Sequence, residues 1–116
     1  MDTNQFISTL PLKRDFHDAH EKRAYLRAVA TARRLLEDPG LLSRGAEHLE
    51  RFTRPDPRQS SHYALWREVL AGGEAEVVRR LLADTDEGMA LRDSSPVFVR
   101  FAPEELKAIW IDADAK

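Results

Sequence analysis

Two histidines and a glutamate near the beginning of the chain have the residue types of a metal site. His17 and His20 lie three residues apart, which would put both on one face of a helix, and Glu21 follows at once. Neutral imidazole is a common metal ligand, but a stable zinc site needs three or four protein ligands. Zinc-hydrolase helices space their histidines four residues apart, and this chain lacks that spacing. We therefore expect the solvated beginning of a helix here and no bound metal.

Two serines and a histidine are adjacent in the sequence, and these are the residue types of the nucleophile and base of a serine hydrolase. Ser60, Ser61 and His62 are consecutive, but a catalytic triad is defined by three-dimensional geometry, so adjacency in sequence carries little weight. The chain has no G-x-S-x-G elbow, no phosphate-binding glycine loop and no dinucleotide fingerprint. Gly72 and Gly73 are better suited to end a helix. We expect no catalytic residues, no cofactor and no enzyme activity.

A helix–turn–helix pattern over residues 63–82 indicates DNA binding as a third candidate function. The second helix of such a motif enters the major groove by its first turn. Here that turn carries Glu74 and Glu76, which phosphates repel, whereas Arg79 and Arg80 come later. Nucleic-acid binding is therefore the less favoured alternative, and we interpret the two arginines as a solvated face.

The composition of the 116 residues restricts the class of protein. Hydrophobic residues make up 42% and charged residues 33%, which is typical of a single folded domain. The 18 basic and 20 acidic side chains are well mixed and give a net charge of −2, so no overall field attracts polyanions. The absence of cysteine excludes disulfides, thiolate metal sites and cysteine nucleophiles. With no visible secretion signal and no apolar run of membrane-spanning length, we expect a cytoplasmic protein that does not enter a membrane.

The candidate residues must be positioned by helices, because apolar residues recur at helical spacing along most of the chain. Tyr25, Val29, Ala32 and Leu36 follow i, i+4, i+7 and i+11 and predict a helix over residues 16–37. Capping and turn signals predict further helices that begin near Asp38, Ser60, Glu74, Asp84 and Pro103. No internal repeat and no pair of alternating strands is visible. The predicted fold is all-α, a single-domain bundle of five or six helices.

Prolines and aperiodic stretches mark the boundaries of this bundle. Residues 1–14 lack useful periodicity and are predicted to form a short flexible N-terminal arm before a helical domain of residues 15–112. Two prolines make residues 54–59 a linker between the halves 15–53 and 60–112. Both halves are needed for one core, since two independent domains would not fit this length.

The aromatic side chains have two roles open to them. Trp66 and Trp110 lie on apolar helical stripes, so we expect both in the core with an indole N–H near the surface. Residues 97–101 form a short apolar run between two prolines and are predicted to be a loop or a brief extended segment. Phe98 and Phe101 of this run either fill the core or bind a partner, and filling the core is the favoured alternative.

Three stretches of the sequence form a pattern that spans most of the chain. They are residues 35–42 (LLEDPGLL), 63–70 (YALWREVL) and 91–96 (LRDSSP). Together they resemble a group of small bacterial all-helical proteins of antitoxin or regulator-associated type, which carry a D-P-x-L-L junction and an L-R-x-S-S-P turn. This chain departs from the pattern after the turn, where a valine precedes the phenylalanine. The resemblance implies the helical fold and a binding role without a separate DNA-binding domain.

The resemblance also implies a contact surface around the turn that follows the fifth predicted helix. An arginine and two serines supply hydrogen-bond donors there, beside an apolar loop held by proline. The candidate partner-binding residues are Arg92, Ser94, Ser95, Phe98 and Phe101. Each of these side chains can instead have a structural role within the protein. Arg92 can pair with Asp86 or Asp93, either serine can satisfy carbonyl groups at the helix end, and the phenylalanine can close the core.

The function predicted on these grounds is protein–protein interaction. We expect an antitoxin-like inhibitor of a bacterial toxin–antitoxin system, which binds and neutralises a partner protein such as a toxin encoded nearby. The alternative is a transcriptional regulator that binds nucleic acid. The sequence leaves open whether the chain forms a homodimer.

Overall fold

In the computed structural model, which describes residues 2–114, every helix predicted from the sequence is present and one more is added. The helices are α1 (Thr3–Ser8), α2 (Ala19–Glu37), α3 (Leu41–His48), α4 (Ser60–Ala71), α5 (Glu74–Leu82), α6 (Asp86–Asp93) and α7 (Pro103–Asp114). The described residues contain no strand, and the prediction of an all-α single-domain bundle is confirmed. The Cα radius of gyration, 13.8 Å, is close to the roughly 13 Å expected of one domain of this length. None of these helices is long and apolar enough to cross a membrane.

Helix α2 lies at the centre of the bundle. The Asp18 side chain caps its beginning by accepting a hydrogen bond from the Glu21 amide, so the helix begins three residues later than predicted. The stripe that includes Tyr25, Val29 and Ala32 is buried, because α1, α3, α5, α6 and α7 all pack around this helix. Burying one large apolar side chain contributes about 1.5–3 kcal/mol, so this stripe is a main source of stability.

The chain after α3 departs from regular α-helical geometry. Leu49–Thr53 form a π-helix, in which the Arg54 amide donates to the Leu49 carbonyl oxygen at 2.9 Å. In an α-helix Leu49 and Phe52 would share a face. The wider turn instead buries Leu49 with Thr53 and leaves Phe52 58% exposed.

A pair of glycines makes the turn between α4 and α5. Gly73 has a φ of +86°, a left-handed conformation that glycine adopts without strain, so α5 begins at the next residue. Thr85 then caps α6 by accepting a hydrogen bond from the Gly88 amide at 2.9 Å. The apolar stripe of α5 is buried between its neighbours and consists of Val77, Val78, Leu81 and Leu82.

The N-terminal segment is folded against the bundle, which corrects the prediction of a flexible arm over residues 1–14. Asp2 and Gln5 form a reciprocal capping box at the beginning of α1, and Ile7 is buried where α1 packs on α2. A helix of six residues is too short to show periodicity and is stabilised by its tertiary contacts. Met1 of the predicted arm lies outside the described residues.

Residues 54–59, the predicted linker, join two halves that pack as one unit. Pro57–Gln59 form a short 3-10 helix, and the Asp56 carboxylate accepts hydrogen bonds from the Arg58 amide and the Gln59 side chain. Helix α2 of the first half packs on α5 and α7 of the second. The two halves therefore share one core.

Candidate functional site

The His17, His20 and Glu21 group is part of an ion-pair network. Glu21 accepts a hydrogen bond from the His17 amide at 3.1 Å and pairs with Lys13 at 3.1 Å. Lys13 also pairs with Asp84 at 3.0 Å. The bonds to Asp84 and Glu21 raise the pKa of Lys13, and the bond to Lys13 lowers the pKa of Glu21. Among the side chains that the structure describes, no three from His, Asp or Glu converge to hold a metal ion. The network instead fastens the N-terminal segment to α2 and to the end of α5.

The Ser60, Ser61 and His62 group lies in the first turn of α4. Both serines are exposed, and no hydrogen bond joins any two of these three side chains. A nucleophile needs contact with its base to be activated. That contact is not formed at this position.

The helix–turn–helix pattern corresponds to α4 and α5, and α5 has the surroundings of a core helix. It packs against α2, α4 and α6, and Glu74 and Glu76 occupy its first turn. Arg79 pairs with Glu76 at 2.9 Å, and Arg80 pairs with Glu87 at 2.8 Å. The acidic first turn and the pairing of both arginines with glutamates make α5 unfavourable for contact with phosphates.

Phe98, a predicted partner-binding residue, lies in the core. Its side chain is 1% exposed and packs on the Trp66 ring, with 5.6 Å between the ring centroids. Its ring also approaches Gly45 of α3 so closely that a Cβ atom there would overlap it. Phe98 is therefore not a surface contact, which corrects the interface prediction and agrees with its structural alternative.

Arg92, a second predicted partner-binding residue, makes contacts within the protein itself. Its guanidinium lies over the Tyr25 ring at 4.9 Å from the centroid, and Nη1 donates to the carbonyl oxygens of Leu81 and Ala83 at 2.8 and 3.0 Å. Burial lowers the pKa of Arg92. These carbonyl groups, and not a nearby aspartate as the sequence suggested, are its partners. Arg92 thereby fastens α6 to the end of α5.

The two predicted serines differ in their surroundings. Ser94 accepts a hydrogen bond from the Trp66 indole N–H at 3.1 Å and donates to the Ala90 carbonyl oxygen at 2.7 Å. Its hydroxyl thus bonds to a carbonyl at the end of α6, as the structural alternative has it, beside the Ser94 amide, which donates to the same oxygen at 3.1 Å. Ser95 is exposed and donates to the Pro96 carbonyl oxygen at 3.0 Å. Of the two serines, Ser95 is the one open to a partner.

A cleft of about 670 Å³ opens between α2 and the segment that follows α6. This volume lies in the range of binding pockets. Of the predicted partner-binding residues, Arg92, Ser95 and Phe101 line the cleft, together with the buried Phe98. Ser94 does not reach it.

The two sides of the cleft differ in chemistry. The side contributed by α2, which we call the basic side, carries His20, Arg23, Arg27 and Thr31 together with the small residues Ala24 and Ala28. Arg27 is exposed, and its side chain makes no ion pair with another described residue. The facing side, which we call the apolar side, includes Val97, Phe101 and Trp110.

Trp110 is 45% exposed, so the prediction that it lies in the core is wrong. Helix α7 turns Leu106, Ile109 and Ala113 toward the bundle at i, i+3 and i+7, and these side chains are at least partly buried. Trp110 lies on the flank of that stripe and projects into the cleft, where Val97 is also 37% exposed. Two large apolar side chains are therefore open to solvent in one cleft.

One arginine of α2 holds the apolar side in position. Arg34 pairs with Glu105 in the first turn of α7, and its guanidinium lies 5.9 Å from the centroid of the Phe101 ring. The Ala102 amide donates to the same carboxylate at 3.2 Å. The loop and the beginning of α7 are thus fixed relative to α2.

The basic side is visible in the sequence only as a spacing. His20, Arg23, Arg27 and Thr31 follow i, i+3, i+7 and i+11, away from the buried stripe of α2. This signal is ambiguous, because exposed helix faces are commonly charged. Only the fold brings these residues opposite Trp110.

Comparison with protein-family models, with curated proteins and with solved structures finds no match to this chain.

Proposed function

We propose that this chain is a protein–protein interaction module that binds a segment of a partner protein in the cleft. The observation that carries the proposal is the exposure of Trp110 beside Val97, two large apolar side chains that line one cleft. Tryptophan is enriched among the residues that dominate binding energy, and exposed apolar patches mark interaction sites. Covering both side chains would stabilise a complex by about 25 cal/mol per Å² of apolar surface removed from water.

The framework around the cleft supports this proposal because it is preorganised. Phe98 anchors the loop in the core, and Arg34 holds the beginning of α7 to α2. A site that is already ordered loses less conformational entropy when a partner binds. Affinity can then come from the few exposed side chains.

The role that we propose for this binding is that of an antitoxin-like inhibitor, whose partner is a toxin that it neutralises in the cytoplasm. The resemblance of residues 35–42, 63–70 and 91–96 to small bacterial antitoxin-type proteins supports this role. The third of these stretches contributes Arg92 and Ser95 to the lining of the cleft. Residues 91–96 and the exposed side chains of Trp110 and Val97 therefore line the same cleft.

Co-expression with the product of the neighbouring open reading frame tests the proposal. The tagged chain should retain that product as a stoichiometric complex in size-exclusion chromatography. Trp110→Ala should lose it, because the indole supplies the largest exposed apolar contact of the cleft. Phe52→Ala is the matched control, since it removes an aromatic side chain that is 58% exposed outside the cleft, and it should retain the complex.

Two results would count against the proposal. The first is the absence of any complex with the neighbouring product, and the second is equal retention by Trp110→Ala and Phe52→Ala. Loss of bound material on nuclease treatment, with a steep fall in affinity as salt rises, would instead identify the nucleic-acid-binding regulator.

A further inference from the structure

The residues between α5 and α6 are held in place by side chains of other helices. We call residues 81–84, which end α5 and lead to α6, the junction. The last carbonyl groups of an α-helix have no partner within the helix. Here the Leu82 carbonyl oxygen accepts a hydrogen bond from the Tyr25 hydroxyl of α2 at 2.6 Å, and Arg92 of α6 donates to the carbonyl oxygens on either side of it. The position of the junction therefore depends on both α2 and α6.

The N-terminal segment, residues 2–13, is attached to the same junction. Leu12 forms an isolated antiparallel bridge with Ala83. The backbone amide of Lys13 donates to the tyrosine hydroxyl that holds the junction, at 3.0 Å, and its Nζ pairs with Asp84 at 3.0 Å. The segment and the junction therefore stabilise each other.

This segment can leave the bundle without unfolding the rest of the chain. Helix α1 has six residues, whereas an isolated helix needs about 12–15 to be even marginally stable. Of the described apolar side chains of the segment, Ile7 is buried, and Phe6, Leu10 and Leu12 are only partly buried. Segments with few buried contacts open at a lower free energy than the whole protein. The segment thus has a docked state and a released state.

The junction also contributes to the cleft. Leu81 and Arg92 both line the cleft, and the Arg92 guanidinium lies 4.9 Å from the centroid of the Tyr25 ring. Release of the N-terminal segment takes the Lys13 amide from the Tyr25 hydroxyl and the cation from Asp84. The junction is then held less firmly, and two lining side chains of the cleft move with it.

We propose that the N-terminal segment controls the cleft, so that docking of residues 2–13 on the junction favours binding and release of the segment weakens it. The effect on affinity rests on the proposed function, since it requires a partner in the cleft. Its cause is preorganisation, because a less ordered cleft loses more conformational entropy when it binds. Coupling between two sites is reciprocal, so a bound partner must also keep the segment docked.

Amide hydrogen exchange of the full chain, followed by NMR without denaturant, tests the coupling without any partner. The Lys13 amide reports on docking, because its acceptor is a side chain of α2. Arg92→Lys, a change in the lining of the cleft, should raise the exchange rate of this amide at least about fivefold. Arg100→Lys, at an exposed position, should leave the rate within about twofold.

A second control separates this effect from a general loss of stability. Leu49 is buried in the π-helix, which packs on α3 and α4. Leu49→Val weakens the core there. It should leave the exchange rate of the Lys13 amide within about twofold, because that amide exchanges by local release of the segment and not by global unfolding.

The reverse experiment changes the segment and observes the cleft. Lys13→Gln removes the ion pair with Asp84 and should shift the NMR resonances of the Arg92 Nε–H group and the Ser95 amide. The Arg92 resonance is a sensitive probe, because its guanidinium lies over an aromatic ring. Lys13→Arg keeps the charge and should shift both resonances less. Arg14→Gln removes the charge of an exposed neighbour and should leave both in place.

The effect on binding is measured with the co-expressed product of the neighbouring open reading frame. Lys13→Gln should weaken the complex at least about fivefold, and complex formation should slow exchange of the Lys13 amide in the wild type by a similar factor. The same product with Arg14→Gln should bind within about twofold of the wild type.

Several outcomes would overturn the proposal. These are unchanged exchange of the Lys13 amide in Arg92→Lys, an equal increase in Leu49→Val, and equal shifts of the cleft resonances in Lys13→Gln and Arg14→Gln. If Trp110→Ala releases the partner while Lys13→Gln retains it at full affinity, the proposed function stands and control by the N-terminal segment falls. If no partner binds at all, the proposed function falls, whereas the coupling measured on the chain alone stands.

Discussion

The indole N–H of Trp66 donates to the Ser94 hydroxyl across 3.1 Å, and that hydroxyl donates in turn to the Ala90 carbonyl oxygen. Trp66 is fully buried in α4, whereas Ser94 follows the last residue of α6. One hydroxyl therefore satisfies a buried donor and gives a second hydrogen bond to a carbonyl that already accepts from the Ser94 amide at 3.1 Å. It also fixes the beginning of the loop that continues to Phe98 and the cleft.

Ser94→Ala should lower the free energy of unfolding by about 1–3 kcal/mol, because the buried indole N–H of Trp66 loses its acceptor. Urea denaturation followed by circular dichroism measures this loss. Ser95→Ala is the control, since it removes an exposed hydroxyl and should change stability by less than about 0.5 kcal/mol. Equal effects at the two positions would mean that the Trp66 bond contributes nothing.

Gly45→Ala should destabilise the protein, although alanine is the better helix former by about 1 kcal/mol. The added Cβ overlaps the Phe98 ring, which is packed on Trp66 and cannot move without opening the core. We expect a loss of about 1–3 kcal/mol in urea denaturation. Combining it with Phe98→Leu should cost less than the sum of the two single changes, since leucine leaves room for the Cβ. A more stable Gly45→Ala protein would contradict this packing.

Arg92→Lys should destabilise the protein by about 1–2 kcal/mol, although the charge is kept. Lysine lacks the planar guanidinium that lies on Tyr25 while its N–H groups reach the carbonyls of Leu81 and Ala83. Calorimetry should show a lower melting temperature than for Arg100→Lys, a control at an exposed position. If the two variants melted alike, the contacts of Arg92 would have no structural role.

Asp56 should make stability depend on pH in the acid range. Hydrogen bonds from the side chains of Gln59 and Arg58 lower the pKa of Asp56 from 3.8 to about 2. Because the folded-state pKa lies below the unfolded-state value, the contribution is complete above pH 3.8 and is lost as the pH falls through about 2. Urea denaturation between pH 3.8 and about 2 should show that the free energy of unfolding falls less steeply for Asp56→Asn than for the wild type. An NMR titration of the carboxyl group with an unshifted pKa would refute this account.

Acrylamide should quench the fluorescence of Trp110 and spare that of Trp66. The first side chain is 45% exposed and the second is fully buried. Trp110→Phe should therefore remove most of the quenchable emission and shift the remaining spectrum to shorter wavelength. If acrylamide quenched the Trp110→Phe variant as strongly as the wild type, Trp66 would be accessible to solvent.

The positions of the helices could be predicted from the sequence, because the signals for them are local. Tyr25, Val29 and Ala32 have the spacing of one helix face, and α2 buries that face. The turn at Gly73 and the helix that begins at Pro103 also follow from residues within one helical turn. Helix α1 was not predicted, because its six residues are too few to show a periodic pattern.

The environment of each candidate side chain was decided by the tertiary structure. Phe98 and Trp110 both belong to apolar stretches of sequence, yet Phe98 is buried and Trp110 is open to the cleft. Phe98 finds space beside Gly45, a residue far from it in sequence, whereas Trp110 lies on the flank of a helix that packs mainly on α2. The sequence alone determined an all-α bundle and the approximate position of its helices. Which apolar residues stay exposed depends on the elements that cover them, and those contacts join residues too distant in sequence for a local pattern to record.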